Sequence, residues 1–131
     1  MTPAERLIAQ MRTQRQSWVE VAPAQEGGVA KRVKITRPPE NEVSSFVTRA
    51  EDGRFTLSAT AEHVSRYVVG WDGITEADLV GAAGGSDPAP FNADLWRLVV
   101  EDRLDWMRAI AQALLDAILA HRAARTADEK N

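Results

Sequence analysis

The chain of 131 residues contains no cysteine. Disulfide bridges, thiolate catalysis and zinc–thiolate sites are therefore excluded. Its two histidines, His63 and His121, lie far apart in the chain and form neither an HExxH nor an HxH pattern. Because metal-binding histidines come in spaced sets, we expect no metal site. We also expect no cofactor, because the glycines within residues 81–85 form neither a GxGxxG motif nor a Walker loop.

The sequence also lacks a long apolar run and an excess of basic residues. No segment approaches the ~20 apolar residues that span a bilayer, and residues 1–20 carry charges where a signal peptide has an apolar core. We therefore expect a soluble, intracellular protein without a membrane partner. The net charge of −3 argues against nucleic acid as a partner. Residues 1–37 carry +4 and residues 38–131 carry −7, which fits either scattered solvated charge or head-to-tail contacts between copies.

The N-terminal third predicts a helix followed by a β-hairpin. A capping box over residues 2–5, with Pro3 at the first helical position, indicates a helix within residues 1–17. This helix has an apolar face that needs a partner surface, formed by Ala4, Leu7, Ile8 and Met11. Two alternating segments within residues 18–37, separated by Gly27-Gly28, predict an antiparallel hairpin that helices must cover on its apolar side.

Residues 38–121 predict a helical body. A short apolar stripe follows Pro38-Pro39, and residues 51–54 suit a turn. We expect a helix from about Ala59, capped by Ser58, to Val69, with Gly70 ending it. Residues 81–90 are rich in Gly, Ala and Pro and predict a flexible loop.

The C-terminal segment predicts two helices. Asn92 is suited to cap the first, and a break is expected near Asp102–Leu104. Apolar residues recur at helical spacing in the second, at Trp106, Met107, Ile110, Leu114, Ala117 and Ile118. We expect this helix at the centre of the fold, with His121 near its last carbonyls and residues 122–131 as a frayed tail. The predicted fold of residues 1–131 is thus a single α+β domain, mainly α.

The most distinctive stretch is Val68–Ile74, with the sequence Val-Val-Gly-Trp-Asp-Gly-Ile. It predicts a helix end that breaks into an Asx-type turn, with a glycine-specific backbone conformation at its second glycine. A second stretch, Pro90–Trp96, predicts a loop that opens a helix. Neither stretch contains a nucleophile beside a base, so we expect no catalytic residue. The candidate interface residues are Trp71, Asp72, Gly73, Phe91 and Trp96. The four tryptophans predict core anchors, with one or two left for an interface.

Several of these stretches together resemble the tail assembly chaperones of long-tailed bacteriophages and prophages. The matching features are a basic strand from Lys31 to Pro38, the Val68–Ile74 stretch, a variable loop, and Pro90-Phe91-Asn92 at the start of a helix pair. The resemblance covers about residues 18–120, and its Val-Gly-Trp-Asp-Gly-Ile part is the most specific.

The resemblance implies a function without catalysis. A protein of this family binds the long tape-measure protein, recruits tail-tube subunits around it, self-associates, and works in the cytoplasm of the bacterial host. Two other functions remain open on the residues alone. One is a structural adaptor or tail-completion protein that stays in the particle. The other is a small DNA-binding regulator that uses the basic cluster of Lys31, Arg32, Lys34 and Arg37.

Overall fold

The computed structural model of the protein describes residues 1–58 and 60–130. Six helices and five strands follow one another along the chain. In order they are α1 (Pro3–Gln14), β1 (Gln16–Ala22), β2 (Lys31–Thr36), α2 (Glu40–Val43), β3 (Val47–Arg49), β4 (Phe55–Leu57), α3 (Ala61–Arg66), β5 (Val68–Asp72), α4 (Glu76–Val80), α5 (Ala93–Asp102) and α6 (Leu104–Lys130). The predicted α+β class, mainly helical with an N-terminal hairpin and a long C-terminal helix, is confirmed.

Helix α1 begins as the sequence predicts. The Thr2 hydroxyl accepts a hydrogen bond from the Glu5 N–H at 3.1 Å, and the Glu5 carboxylate accepts one from the Thr2 N–H at 3.2 Å. These bonds satisfy amide groups that would otherwise lack partners at the helix start. The helix leads almost directly into β1 and has no buried residue. It is therefore attached to the body at one end and lies outside the core.

The predicted hairpin is present, but it is part of a three-stranded antiparallel sheet with the order β1-β2-β5. Val19 pairs with Val33, and Val33 pairs with Trp71, so these side chains share the face that meets the helices. The prediction of a helix running to Val69 was wrong. Helix α3 ends at Arg66, and the β-branched pair Val68-Val69 enters the third strand, since strand β2 offers an unpaired edge and two strands alone are marginally stable.

A second, smaller hairpin was also missed by the sequence analysis. Strands β3 and β4 pair around the turn expected at residues 51–54, where Gly53 has a φ of 85°. The start of the following helix also differs from the prediction. Thr60 rather than Ser58 caps α3, with its hydroxyl accepting from the His63 N–H at 3.3 Å. Ala59, where we expected the helix to start, lies outside the described residues.

Helix α6 runs through the middle of the core, as predicted. Its buried residues are Trp106, Ile110, Leu114, Leu115 and Ile118, and it contacts the sheet through β1 and β2. It also packs against α3, α5 and β4. Asn92 caps α5 as expected, and the chain breaks between α5 and α6 at Arg103. No helix among residues 1–58 and 60–130 is long and apolar enough to cross a membrane.

The end of α6 differs from the prediction. The helix continues to Lys130, so residues 122–130 are helical rather than a frayed tail, and His121 lies inside the helix rather than at its last carbonyls. A long-range ion pair accounts for part of this extension. The Arg122 guanidinium donates to both carboxylate oxygens of Glu40, at distances of 3.0 to 3.3 Å. This contact ties α6 to α2.

We predict that the central position of α6 can be measured by cavity-forming substitutions. Ile110 and Leu114 are fully buried. Ile110→Ala and Leu114→Ala should each lower the free energy of unfolding by about 2–5 kcal/mol in urea titrations. Leu98→Ala is the matched control, because Leu98 is 64% exposed and its loss should change stability by about 0.5 kcal/mol or less. Equal stabilities for all three variants would contradict this placement of α6.

Candidate functional site

Trp71 and Phe91 join the two stretches that the sequence analysis singled out. The Trp71 indole Nε1–H donates to the backbone carbonyl of Ala89 at 2.7 Å. The Trp71 and Phe91 rings meet edge to face, with centroids 5.3 Å apart and planes at 90°. Both side chains are half-buried. The two residues therefore connect strand β5 to the loop before α5, which is a structural role and leaves part of each ring accessible.

Gly73 occupies the glycine-specific position that the sequence predicts. Its φ is 79°, in the left-handed region, and a Cβ at this position would overlap the carbonyl oxygen of Ala30. Asp72 behaves differently from the predicted Asx-type turn. Its carboxylate accepts a hydrogen bond from the Arg32 guanidinium at 2.7 Å, across the β2–β5 pair. Asp72 is exposed and ion-paired on the sheet.

Trp96, the last of the candidate interface residues, lies inside the core. Its side chain is fully buried, and its ring stacks on Trp106 with centroids 6.5 Å apart. The indole N–H groups of both residues are buried without a hydrogen-bond partner in the described part of the chain. The corner between α5 and α6 brings these two rings together inside the core, which helical spacing within α5 alone did not indicate. Trp18, by contrast, is 43% exposed.

The segment predicted as a flexible loop is closed by backbone hydrogen bonds. The Glu76 N–H donates to the Asp87 carbonyl at 3.0 Å, and the Ala89 N–H donates to the Ile74 carbonyl at 2.9 Å. Gly84 lies so close to the Glu76 backbone that a Cβ would come within 2.6 Å of it. Residues 74–89 thus form a compact loop with its ends side by side, held next to Trp71.

Two members of the basic cluster, Lys31 and Arg32, are ion-paired. Lys31 lies 3.4 Å from the carboxylate of Asp78, and Arg32 pairs with Asp72. Arg32 and Lys34 also flank the exposed ring of Trp18, at 4.6 and 5.0 Å from its centroid. The antiparallel register of β1 and β2 produces this arrangement, because Trp18 stands opposite Lys34.

Helix α1 has an exposed apolar face, the α1 apolar face, formed by Ala4, Leu7, Ile8 and Met11. Leu7, Ile8 and Met11 are 53%, 49% and 56% exposed. The sequence analysis expected this face to need a partner surface, and no element of the described chain covers it. Three half-exposed large apolar side chains on one helix are typical of a surface that binds another molecule.

A cleft of about 900 Å³ lies beside the C-terminal end of α1. We call it the arginine cleft, because Arg15 and Arg37 line it together with Met11, Glu40 and His121. These residues come from α1, the strand ends, α2 and α6. Burial lowers the pKa of Arg37, and the positive charge of Arg15 lowers it further. Burial also lowers the pKa of His121, with the charge of Arg37 as the next cause. The sequence analysis missed this site because its residues are far apart in the chain.

Comparisons with protein-family models, curated proteins and solved structures give no match to this chain. In residues 1–58 and 60–130, no three side chains of His, Cys, Asp or Glu come together in an arrangement that could hold a metal ion. The surfaces that remain as candidates for function are the α1 apolar face and the arginine cleft, which meet at Met11.

We predict that Gly73 contributes more to stability than a glycine of similar backbone conformation in open space. Gly27 has a φ of 76° and nothing near its missing Cβ, whereas Gly73 faces Ala30. Gly27→Ala should cost about 1–2 kcal/mol from the left-handed backbone alone. Gly73→Ala should cost about 3 kcal/mol or more, because steric overlap is added. Thermal and urea unfolding of both variants would test this, and equal losses would show that the turn can move away from Ala30.

We predict a pH dependence from the ion pair between α2 and α6. The hydrogen bond from Arg122 holds the pKa of Glu40 below its ordinary value of 4.5. A carboxyl whose pKa is depressed on folding stabilises the folded protein above the ordinary value, and this contribution disappears as pH falls through the folded value. The wild type should therefore lose more stability than Glu40→Gln when the pH of urea titrations is lowered from about 7 to about 3. Parallel losses in the two proteins would contradict the role of this pair.

Proposed function

We propose that this protein is a tail assembly chaperone, which binds a tape-measure protein in the bacterial cytoplasm and recruits tail-tube subunits without catalysing a reaction. The resemblance of the Val68–Ile74 and Pro90–Asn92 stretches to that family suggests the class of function. The observation that supports a binding surface is the exposure of the α1 apolar face, whose three large side chains are about half exposed.

The physical argument starts from the client. A tape-measure chain exposes long apolar stretches until a tube encloses it, so a protein that accompanies it needs an exposed apolar surface of its own. Helix α1 offers that surface on a capped, preformed helix, and an amphipathic helix can pair with another through residues at helical spacing. If many copies bind along one client and also contact one another, multivalency raises the overall affinity even where each contact is weak.

In this proposal the residues of the distinctive stretches have a supporting role. Trp71, Gly73 and Phe91 hold the strand, the turn and the loop together, and Trp96 anchors α5 to the core. None of them lies on α1. The family resemblance therefore rests on the scaffold, and binding of the client rests on the helix that the scaffold presents.

We predict that polar substitutions on α1 abolish client binding without unfolding the protein. Leu7→Ser combined with Ile8→Ser should leave the melting temperature within a few degrees of the wild type, because neither side chain is buried. Co-expression with the proposed tape-measure client should give a soluble complex with the wild type and an insoluble client with the double variant. Leu98→Ser combined with Leu104→Ser is the control, since these leucines are also exposed but lie on α5 and α6.

Other outcomes would favour the alternatives. A protein that remains in purified virions and leaves the client insoluble would be an adaptor or tail-completion protein. A salt-dependent shift of DNA mobility that requires Arg32 and Lys34 would indicate the regulator. A wild type that stays monomeric at high concentration and does not solubilise the client would contradict the chaperone proposal.

A further inference from the structure

The arginine cleft has the size and composition of a binding site for a short peptide segment. Its volume of about 900 Å³ lies in the range of ligand pockets. Its lining combines apolar residues, among them Met11, Pro39 and Ala117, with charged and amide groups. Met11 also belongs to the α1 apolar face, so the cleft continues that face toward Arg15 and Arg37.

Arg15 and Arg37 differ from the other arginines of the chain. Seven arginines of the described residues lie within 4.0 Å of a carboxylate, namely Arg32, Arg54, Arg66, Arg97, Arg103, Arg122 and Arg125. Most of the arginines without such a pair in residues 1–58 and 60–130 are exposed, namely Arg6, Arg12, Arg49 and Arg108. Arg15 and Arg37 alone in that part of the chain are both half-buried and without a carboxylate partner.

The backbone holds these two arginines next to each other. The Arg37 N–H donates to the Arg15 carbonyl at 2.7 Å, although 22 positions separate them in the chain. The Arg37 side chain makes one hydrogen bond, from Nη1 to the Pro38 carbonyl at 3.2 Å, which leaves most of its donors available. Burial is the main cause of the lowered pKa of Arg37; the positive charge of Arg15 lowers the pKa further, and the charge of Glu40 raises it. Glu40 lines the cleft, but its carboxylate oxygens are bound by Arg122.

We propose that the arginine cleft binds the carboxylate of an acidic peptide segment, with Arg15 and Arg37 as its donors and the neighbouring apolar side chain of that segment against Met11. A carboxylate would offset the repulsion between the two guanidiniums, whose fork geometry suits bidentate bonds to a planar anion. The inference does not rest on the proposed function, because it holds for any partner that carries such a segment.

A peptide fits the cleft better than nucleic acid does. The apolar lining residues Met11, Pro39 and Ala117 suit an aliphatic side chain and offer no hydrogen bond from their side chains to a phosphate backbone. The overall charge of −3 would also repel a polyanion more strongly than a single carboxylate. A peptide with one carboxylate beside a leucine can pair with the two arginines and also contact the apolar lining residues.

Binding of a carboxylate in the arginine cleft should depend on pH through His121. It lines the cleft, and the charges that act on it are those of Arg15, Arg37, Glu40 and Arg125. A bound carboxylate favours the protonated imidazole, so binding should raise the pKa of His121 and should strengthen as pH falls from about 8 to about 6. The substitution His121→Asn should remove this dependence while the arginines continue to bind.

The test is a calorimetric and NMR titration of the full chain with acetyl-Leu-Leu-Glu-Leu-amide, with the glutamine peptide of the same length as the matched ligand. The glutamate peptide should bind about tenfold or more tightly than the glutamine peptide, since hydrogen bonds to charged groups are the stronger ones. Arg15→Gln and Arg37→Gln should each weaken binding of the glutamate peptide by about tenfold. Arg108→Gln is the control for charge, because Arg108 is exposed on α6 about 20 Å from His121 along the helix.

Stability must be separated from binding in these variants. The bond between the Arg37 N–H and the Arg15 carbonyl is a backbone bond and survives side-chain replacement. If a glutamine variant melts early, Arg15→Lys and Arg37→Lys keep the charge and should still weaken binding, because the guanidinium fork is lost. Equal affinity for the two peptides, or unchanged affinity in the arginine variants, would overturn the proposal. Binding of a single-stranded oligonucleotide through the same arginines, with no binding of the glutamate peptide, would overturn it as well.

Discussion

The apolar stripe of α6 is the surface on which most of the buried structure depends. It contacts β1 and β2 of the sheet, β4 of the small hairpin, and helices α3 and α5. A three-stranded antiparallel sheet with one apolar face needs a cover to be stable in water, and a chain of this size has room for one long helix to supply it. Removing the apolar stripe would therefore leave the sheet, the hairpin and the shorter helices without a common partner.

Helix α1 does not pack on this core and has no buried residue. Its capping box stabilises its start, and its C-terminal end is joined to β1. A helix of this length is only marginally stable without a partner surface. Its apolar face and the arginine cleft meet at Met11, so an apolar strip leads into a pair of half-buried charges. A partner with both an apolar and an acidic part could use the two surfaces at once, which would give it more specificity than the apolar face provides alone.

The four tryptophans occupy three different environments. Trp96 and Trp106 stack inside the core, Trp71 connects a strand to a loop, and Trp18 lies on the outer face of the sheet between two cations. The two core indoles are buried without partners for their N–H groups in the described chain. Each such group costs about 1–3 kcal/mol, which the burial of two large aromatic rings offsets.

Local chemistry was enough to predict the elements whose signals lie within a few residues. The capping box at Thr2, the asparagine cap at Asn92, the hairpin of β1 and β2, the apolar period of α6 and the backbone conformation of Gly73 all belong to this group. In each of them, the signal that predicts the element is a capping residue, a turn residue or an apolar spacing within one short stretch of the chain.

The tertiary structure decided the rest. Val68-Val69 became a strand because β2 had a free edge, Trp96 became a core residue because α5 turns onto α6, and α6 extends past His121 with Arg122 bound to the distant Glu40. Arg15 and Arg37 meet through one backbone hydrogen bond between segments that a hairpin brings together. Local signals did not decide which tryptophan is buried or where the third strand begins, because the free energy of a strand edge, a buried ring or a charge depends on groups that only the folded chain places beside it.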